Sequence, residues 1–490
     1  MERVLAKDIS NHEGKEVVLM GWVQVRRDHG KLIFIDLRDR SGIAQAVFPP
    51  QDKELHKLAD TIRPGWVVKI SGKVGRRPEG MENPKISGGE YEVAANALDV
   101  LAESETPPID VVEDGMDIGE EVRMGYRYLD LRRPRLQNNL RSRGRIAQLI
   151  REFLIARDFV EIETPILTKS TPEGARDYLV PARLHPGKFY ALPQSPQQYK
   201  QLLMVAGLER YFQIARCFRD EDTRGDRQPE FTQLDLEMSF VEREDVTALN
   251  EELIVDIVKK LYPGKKIQKV PFPRLSYKEA MKKYGTDRPD LRENKDDPDV
   301  LAFCWIVDFP FFERVGEFVH PEAAAEGHNG SPSLLDSSGQ PAGWTFTHNP
   351  FSAPKPEFMN DLLAKKNIAG IIASQYDIVL NGWEIGGGSI RNHRPEALEA
   401  VFEIMGFTKD RIKDNFGHML EALSFGAPPH GGIAWGLDRL VMILQNEPNI
   451  REVIAFPKTG DGKDLMMKTP SDVSKEQLKE LGLKTKKSKK

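Results

Sequence analysis

The sequence contains few of the residues and patterns that mark secreted, zinc-binding or membrane proteins. It has two cysteines, Cys217 and Cys304, both in apolar surroundings, so we expect free buried thiols in a reducing compartment. No Cys/His spacing predicts a zinc site, and no apolar run approaches the roughly 20 residues of a membrane helix. The N-terminus shows no signal-peptide pattern. These absences predict a cytoplasmic protein that has no membrane partner.

A strong net charge is also absent. The formal net charge is −5, and hydrophobic and charged residues make up 40% and 30% of the chain, an ordinary balance for a soluble globular protein. The total charge therefore does not indicate a nucleic-acid partner, although binding follows the local distribution of charge rather than its sum. With 490 residues and no internal repeat, the chain is long enough for two or three domains.

Residues 1–105 are rich in short β-forming runs that are separated by glycines and charged turns. Five such runs in about a hundred residues favour a small Greek-key barrel of the oligonucleotide-binding (OB) type, with SH3-like and other small barrels as alternatives. The runs are EVVLMGWVQVRR, KLIFIDLRDRSG, IAQAVF, WVVKISGKVGRR and EYEVAANALDVLA.

The rest of the chain predicts an α+β domain built on an antiparallel sheet with flanking helices. Residues 106–140 are polar and acidic and predict a hinge connector. A helix is indicated by apolar residues at i, i+3, i+4, i+7 and i+8, namely Ile146, Leu149, Ile150, Phe153 and Leu154. The following strand contains Pro165, which favours a sheet edge or an interface. The catalytic domain is expected to span 141–460, and a C-terminal extension, 461–490, ends in the basic tail LKTKKSKK.

The stretch Phe218–Phe240, FRDEDTRGDRQPEFTQLDLEMSF, concentrates arginines and carboxylates before and within a predicted strand. The alternation in TQLDLEMSF predicts a half-buried strand, which we expect at a sheet edge. The charges are explained either by surface ion pairs of small energetic value or by a ligand that itself bears both charges. Guanidinium groups suit polyphosphates, and carboxylates suit an amino group or a metal ion.

Three stretches occur in an order that resembles the class II aminoacyl-tRNA synthetases: the helix and strand ending at Pro165, FRDE…QPEFTQLDLEMSF, and GGIAWGLDRLVMIL. With an N-terminal barrel, the chain is similar to subclass IIb. The match to bacterial-type aspartyl-tRNA synthetases covers nearly the whole chain and rests on YLDLRRP, TPEGARDYLVP, QSPQQYKQLLM and NGWEIGGGSIRNH. One departure is large, because about nine residues, Glu293–Leu301, stand where that family carries an inserted domain.

The resemblance implies that the protein joins ATP and L-aspartate to form aspartyl-adenylate and then transfers aspartate to tRNA. It implies that Arg219 contacts the α-phosphate and the substrate carboxylate, that Phe231 stacks on adenine, and that Arg439 holds the far phosphates as the second catalytic arginine. The other ATP-binding positions are Asp220, Glu221, Gln228, Glu384, Gly436, Leu437 and Asp438. For any single arginine a surface ion pair is the simpler explanation, but two arginines within two motifs favour phosphate binding.

The resemblance also implies how aspartate and Mg²⁺ are bound. Arg391 and Lys200 would face the side-chain carboxylate, with Asp235 orienting that pair. Glu173, in a mobile lid that contains Gly174, and Gln197 would meet the α-ammonium, and His348 would lie near the aspartate. Asp377 and Glu384 would hold Mg²⁺ through their hard oxygen atoms, the alternative being two ordinary surface acids. His430 is expected to be structural.

The barrel is implied to read the anticodon. The positions that match base-contacting residues are Phe34, Gln45 and Glu92, and Arg26 and Arg27 would hold the RNA backbone. Taken alone, Phe34 is better explained as a core residue, since LIFIDL alternates like any strand. His29 and Gly80 resemble the family members that do not discriminate between tRNA(Asp) and tRNA(Asn).

The sequence thus predicts a homodimeric aspartate–tRNA ligase that acts on tRNA(Asp) and tRNA(Asn). The alternatives are a strictly discriminating aspartate enzyme, an asparagine- or lysine-specific relative, and a synthetase-like binding protein without catalysis. The Arg391/Lys200 pair argues against the relatives for asparagine or lysine. The complete set of motif arginines and carboxylates argues against a non-catalytic protein.

Overall fold

A computed structural model of the chain describes residues 2–84, 86, 88–170, 173–314 and 343–485. The chain forms two compact units, Met1–Gly119 with Tyr128–Arg133, and Glu120–Arg127 with Pro134–Lys490. The last part of the predicted basic tail, 486–490, lies outside the described residues.

The smaller unit contains a closed five-stranded barrel, as the sequence predicts. Its strands pair in the order β1-β2-β3-β5-β4, with the helix α1 (Lys53–Thr61) between β3 and β4. The strands are β1 (Glu16–His29), β2 (Leu32–Arg38), β3 (Ile43–Phe48), β4 (Val67–Arg76) and β5 (Tyr91–Ala102). Along β2, Ile33, Ile35 and Leu37 point into the core, whereas Phe34 lies on the opposite, partly exposed face. Strand alternation therefore keeps Phe34 out of the barrel core.

The larger unit is a mixed sheet with flanking helices. Its strands are β6 (Val160–Glu161), β7 (Leu179–Pro181), β8 (Phe189–Ala191), β9 (Arg210–Phe218), β10 (Glu230–Ser239), β11 (Lys266–Ile267), β12 (Arg274–Ser276), β13 (Val300–Leu301), β14 (Phe303–Val307), β15 (Phe312–Arg314), β16 (Trp344–Phe346), β17 (Gln375–Leu380), β18 (Trp383–Ile390) and β19 (His430–Gly436). The helices beyond the barrel are α2 (Glu120–Gly125), α3 (Arg127–Asp130), α4 (Pro134–Ile155), α5 (Gln197–Val205), α6 (Arg243–Leu261), α7 (Tyr277–Tyr284), α8 (Met359–Ala364), α9 (Pro395–Ile404), α10 (Lys409–Ser424), α11 (Leu437–Leu444) and α12 (Lys475–Glu480).

Eight strands form the main sheet in the order β12-β14-β17-β18-β19-β10-β9-β6. Its central pairs are antiparallel, as predicted, while the outer pairs β12/β14 and β6/β9 are parallel. The predicted amphipathic helix is confirmed within α4, whose five apolar positions all face the core together with α6 and α11. The short strand β6 ends before Pro165 and lies at the edge of the sheet.

TQLDLEMSF forms a strand as predicted, but the prediction that this strand is half-buried and lies at a sheet edge is wrong. This segment forms most of β10, which lies between β19 and β9 and is buried on both faces. Leu234, Leu236 and Met238 contribute to the apolar core. Asp235 and Glu237 point to the other face and are fully buried, because cationic side chains from distant parts of the chain cover them.

Candidate active site

A buried network of two cations and two anions lies on the polar face of β10. Lys200, from α5, places its Nζ atom 2.9 Å from Asp235 Oδ2 and 3.2 Å from Glu237 Oε2. Arg391 follows β18 and binds Glu237 through two hydrogen bonds, Nε to Oε1 at 2.8 Å and Nη2 to Oε2 at 3.2 Å. The structure therefore brings Lys200, Asp235 and Arg391 together, but it is Glu237, which the sequence analysis missed, that holds Arg391.

Donor counting shows that this network has unused capacity. An ammonium group has three N–H donors and a guanidinium group has five. Lys200 donates to two carboxylates, and Arg391 donates to Glu237, to the Ser389 hydroxyl at 2.8 Å and to the Gly432 carbonyl at 3.3 Å. One N–H on each cation is left for a ligand. Asp235 Oδ1, within this network, is one of several buried oxygen atoms of the described residues that have no hydrogen-bond donor.

Burial and the neighbouring cations shift the pKa values of Asp235 and Glu237 in opposite directions. Burial raises the pKa of Asp235, although Lys200 opposes the shift. Burial also acts to raise the pKa of Glu237, but Arg391 and Lys200 outweigh it and hold that pKa below its usual value. Gly432 is required beside this pair, because a Cβ atom there would lie 2.1 Å from Glu237 Oε2.

Glu173 lies in the loop before β7. Its carboxylate accepts a hydrogen bond of 2.9 Å from the Ser195 hydroxyl, and both residues line a cavity of about 250 Å³. Gln194, also missed by the sequence analysis, fixes this loop: its amide binds the Ala175 N–H and carbonyl at 3.0 and 2.9 Å.

Behind the network, Gln197 donates to Gln201 at 3.0 Å, and Gln201 in turn lies 3.2 Å from the buried His430. The other ring nitrogen of His430 is 2.8 Å from the Pro428 carbonyl, and burial lowers the pKa of the imidazole. Gln197 thus belongs to a hydrogen-bonded chain that runs through Gln201 and His430 to the Pro428 carbonyl.

Arg219 and Phe231 lie side by side where β9 and β10 meet the intervening loop. The guanidinium carbon of Arg219 is 5.1 Å from the centre of the Phe231 ring, and both side chains are partly exposed. No described carboxylate forms an ion pair with Arg219, so its charge is available to an anion. On the same loop, Glu221 lies 3.8 Å from Arg227, and the Asp220 N–H binds the Arg176 carbonyl at 3.0 Å.

The start of α11 follows directly on β19 at Gly436. Arg439 donates to the Glu384 carbonyl and, through Nη2, to Asp226 Oδ2 at 2.8 Å. Asp438 is buried and accepts from the Thr232 N–H at 2.9 Å and from Arg143, and Leu437 is buried in the apolar core. Gly436, Leu437 and Asp438 therefore position Arg439 beside Glu384.

Gln228 has both ends of its amide bonded to the backbone of Lys458, accepting from its N–H at 2.6 Å and donating to its carbonyl at 3.1 Å. The structure thus gives Gln228 a role in fixing the loop between β9 and β10 against the C-terminal segment, whether or not it also contacts a nucleotide.

Two acidic side chains converge beside Gly387 on β18. A Cβ atom at Gly387 would lie 2.8 Å from Asp377 Oδ1 and 3.8 Å from Glu384 Oε1, so only glycine leaves this space open. His348 Nε2 is 3.4 Å from Asp377 Oδ2, and this carboxylate raises the pKa of His348 to about 9 in spite of burial. Within the described residues no group of three or more side chains forms a metal site, so any ion here would need further ligands from a substrate.

The barrel residues singled out from the sequence form a second polar group. Arg27 binds Asp36 through two hydrogen bonds of 2.8 Å and Gln45 through one of 3.2 Å, and Gln45 donates to Glu92 at 2.8 Å. Phe34 pairs with Arg27 across β1 and β2, and its ring lies 6.5 Å from that of His29. These residues thus share one face.

Arg26 and Gly80 have different surroundings from those residues. Arg26 is paired with Asp60 of α1 and with Asp28, and Gly80 occupies an open turn with φ of 80°. Arg77, which follows β4 and is not among the residues predicted from the sequence, is mostly buried, and its Nη2 atom has no partner among the described residues. Its adjacency to Arg76 in a strand end gave no signal that distinguished it from a surface arginine.

Comparison with known proteins gives matches along most of the chain. The family described as tRNA synthetases class II (D, K and N) matches residues 119–460, and the OB-fold nucleic acid binding domain matches residues 17–101. An aspartate–tRNA(Asp/Asn) ligase of Syntrophomonas wolfei is 42% identical, and the alignment covers 96% of this chain and 97% of that protein. The ligase of the same name from Thermoanaerobacter sp. X514 is 44% identical with 96% of each chain covered.

These alignments run over 571 positions, more than the 490 residues of the chain, so the relatives contain residues that this chain lacks. Among solved structures, asparaginyl-tRNA synthetase from Pyrococcus horikoshii, complexed with asparaginyl-adenylate, aligns with a TM-score of 0.72 at 22% identity and covers 94% of this chain and 98% of that one. This likeness shows the shared fold. No helix in the described part of the chain is long and apolar enough to cross a membrane. With a family match over residues 119–460 and relatives above 40% identity along almost its whole length, the chain belongs to the class II tRNA synthetases.

Proposed function

We propose that the protein is an aspartate–tRNA ligase that activates L-aspartate with ATP and transfers it to the 3′ ends of tRNA(Asp) and tRNA(Asn). The observation on which this proposal depends is the buried pair of cations, Lys200 and Arg391, each with one N–H left for a ligand. The relatives named aspartate–tRNA(Asp/Asn) ligases support it.

The charges of the network select the amino acid. Lys200 and Arg391 are already neutralised by Asp235 and Glu237, and the side-chain carboxylate of aspartate adds one anion that accepts their remaining N–H groups. Asparagine would place an uncharged amide there and forfeit charge-assisted hydrogen bonds, while lysine would bring a third cation into a buried site. The unpartnered Asp235 Oδ1, together with Glu173, suits the α-ammonium group.

The nucleotide is proposed to bind at the loop between β9 and β10. Arg219 is proposed to neutralise the α-phosphate and to exchange its contact with Phe231 for that phosphate, which leaves the Phe231 ring to stack on adenine. Arg439 is placed to bind the far phosphates. Glu221 and Gln228 lie on this loop, and Asp220 and Arg176 hold its first residues by backbone contacts.

Asp377 and Glu384 fit a magnesium ion, because Mg²⁺ is typically held by one or two carboxylates together with substrate phosphates. The space that Gly387 leaves beside both carboxylates supports this assignment. When bound, the ion supplies charge neutralisation to the polyphosphate.

The first step forms a bond from an aspartate carboxylate oxygen to the α-phosphorus and breaks the bond to the departing pyrophosphate. In the second step a hydroxyl of the terminal ribose attacks the activated carbonyl, the bond from that carbonyl carbon to the phosphate oxygen breaks, and AMP leaves with the hydroxyl proton on a phosphate oxygen. In both steps the protein orients the reactants and stabilises negative charge with Arg219.

The barrel face of Arg27, Phe34, Gln45 and Glu92 is proposed to contact the anticodon. The stacking surface of Phe34 and the base-edge donors and acceptors of Gln45 and Glu92 suit splayed single-stranded bases. His29, beside Phe34, and the open turn at Gly80, where a Cβ atom would meet nothing within 4 Å, are proposed to leave room for either tRNA, which supports relaxed specificity.

We also propose a cytoplasmic homodimer that forms through the β6 edge. Four large apolar side chains at the end of α4 and around β6 are 40% exposed or more: Ile155, Val160, Ile166 and Leu167. An exposed apolar patch next to an uncovered sheet edge suits a second copy of the chain.

Amino-acid-dependent exchange of pyrophosphate into ATP tests the function. We expect exchange with aspartate and none with asparagine or lysine. Exchange with asparagine or lysine alone would establish one of the relatives, and no exchange with any of the three would favour a binding protein without catalysis.

A further inference from the structure

The guanidinium group proposed to bind the far phosphates of ATP already has an anionic partner within the protein. Arg439 Nη2 lies 2.8 Å from Asp226 Oδ2, and both side chains are largely shielded from solvent. Nη1 of the same arginine donates to the Glu384 carbonyl, which anchors the group against β18. Two of its five N–H donors are used in these contacts, and Nε is buried without a hydrogen-bond partner among the described residues.

The backbone around Asp226 is fixed independently of its side chain. The backbone N–H groups of Arg224 and Arg227 each donate to the other residue's carbonyl, at 3.1 and 3.3 Å. These two hydrogen bonds close a tight turn with Gly225 and Asp226 at its tip. The Gly225 carbonyl accepts from the Ile450 N–H at 2.9 Å, and the Arg224 carbonyl accepts from Arg451 at 3.2 Å. Asp226 can therefore leave Arg439 by side-chain rotation, without movement of the loop.

We propose that Asp226 is a positioning residue. Whenever no polyphosphate is bound, its carboxylate takes the position of a phosphate and keeps the Arg439 guanidinium in place. This inference rests on the proposed function. A carboxylate and a phosphate compete for the same guanidinium donors, because both accept from its N–H groups. ATP and pyrophosphate must displace Asp226, whereas AMP and aspartyl-adenylate have no far phosphates and leave the pair intact.

The exchange of partners affects how readily pyrophosphate leaves the site. When the aspartate oxygen has bonded to the α-phosphorus, the electrons of the broken bond leave with pyrophosphate, which is still in contact with Arg439. Asp226 then competes for Arg439, favours pyrophosphate release and disfavours its return. The pair thereby lowers the affinity for both polyphosphates while keeping Arg439 in place for the next ATP.

A purely structural role for the pair predicts the opposite result. If the Asp226–Arg439 contact only held the loop against α11, its removal would loosen the site and weaken ATP binding. The sign of the change in affinity therefore separates the two roles.

The test is calorimetric titration of Asp226→Asn with Mg²⁺-ATP, pyrophosphate and AMP, which needs no amino acid. We expect Kd for ATP and pyrophosphate to fall by about two- to fivefold, the range for a partly exposed ion pair, with Kd for AMP unchanged. Asp226→Glu, which keeps the carboxylate, should restore values near those of the unmodified protein. Asp222→Asn is the matched control, because Asp222 is an exposed acid of the same loop that forms no ion pair among the described residues.

Weaker or unchanged binding of ATP by Asp226→Asn would overturn the proposal, and so would a loss of the fold, since either shows the pair to be structural or inert. Absence of aspartate-dependent exchange in the unmodified protein would refute the proposed function instead, and the titrations distinguish the two failures.

Discussion

Glu237 gives the sharpest test of the buried network, because it binds both cations that are proposed to recognise aspartate. The substitution Glu237→Gln keeps the shape of the side chain and one oxygen acceptor. It removes the negative charge and turns an amide N–H₂ group toward Arg391 or Lys200, which are themselves donors. The free site then contains two cations and one anion.

The structure sets the size of the effect. Removing one partner of a buried ion pair lowers the free energy of unfolding by about 3–5 kcal/mol. Because glutamine keeps one oxygen acceptor, we expect Glu237→Gln to lower it by about 3 kcal/mol. Arg391 also loses the two-point contact that orients it. If the substrate carboxylate loses one well-aligned charge-assisted hydrogen bond, worth about 1.5–3 kcal/mol, KM for aspartate rises by about tenfold or more, since each 1.4 kcal/mol is roughly a factor of ten.

Two measurements check this prediction: urea unfolding with and without aspartate, and the KM values for aspartate and ATP in pyrophosphate exchange. We expect lower stability, a higher KM for aspartate and an unchanged KM for ATP. The control is Glu252→Gln, whose exposed pair with Arg157 at 3.2 Å contributes little. A Glu237→Gln variant as stable as the control, with both KM values unaltered, would refute the argument.

Three further changes test other parts of the site. Arg219→Ala should lower the rate of adenylate formation on the order of 10²–10³-fold without loss of fold, and unaltered exchange would contradict the phosphate role. Gly387→Ala places a Cβ atom 2.8 Å from Asp377 Oδ1, so it should raise the Mg²⁺ concentration needed for exchange, whereas Gly417→Ala, in an ordinary helical contact, should not. His29→Leu should shift charging toward tRNA(Asp) while adenylate formation stays constant; equal charging of both tRNAs would argue against His29.

The barrel and the long helix were predictable because their patterns are local. Period-two alternation broken by glycine turns defines β1–β5, and an apolar stripe of period near 3.6 defines α4. The family resemblance supplied Lys200, Asp235 and Arg391, which the structure brings together.

The burial of β10 was not predictable from its own residues. TQLDLEMSF alternates like a strand with one solvent-exposed face. Its residues do not indicate that Lys200 and Arg391, which are distant in the chain, cover the polar side. Glu237 and Asp226 were missed for the same reason. Each is one acid among several in a charged stretch, and only the tertiary structure shows which acid meets which arginine.

Aspartylation of purified tRNA(Asp) and tRNA(Asn) transcripts by the unmodified protein, followed with labelled aspartate, tests the central claim most directly. The proposed ligase charges both transcripts with comparable efficiency. Charging of tRNA(Asp) alone would contradict the relaxed specificity assigned to the His29 and Gly80 surface. Failure to charge either transcript with aspartate would contradict the proposed function itself.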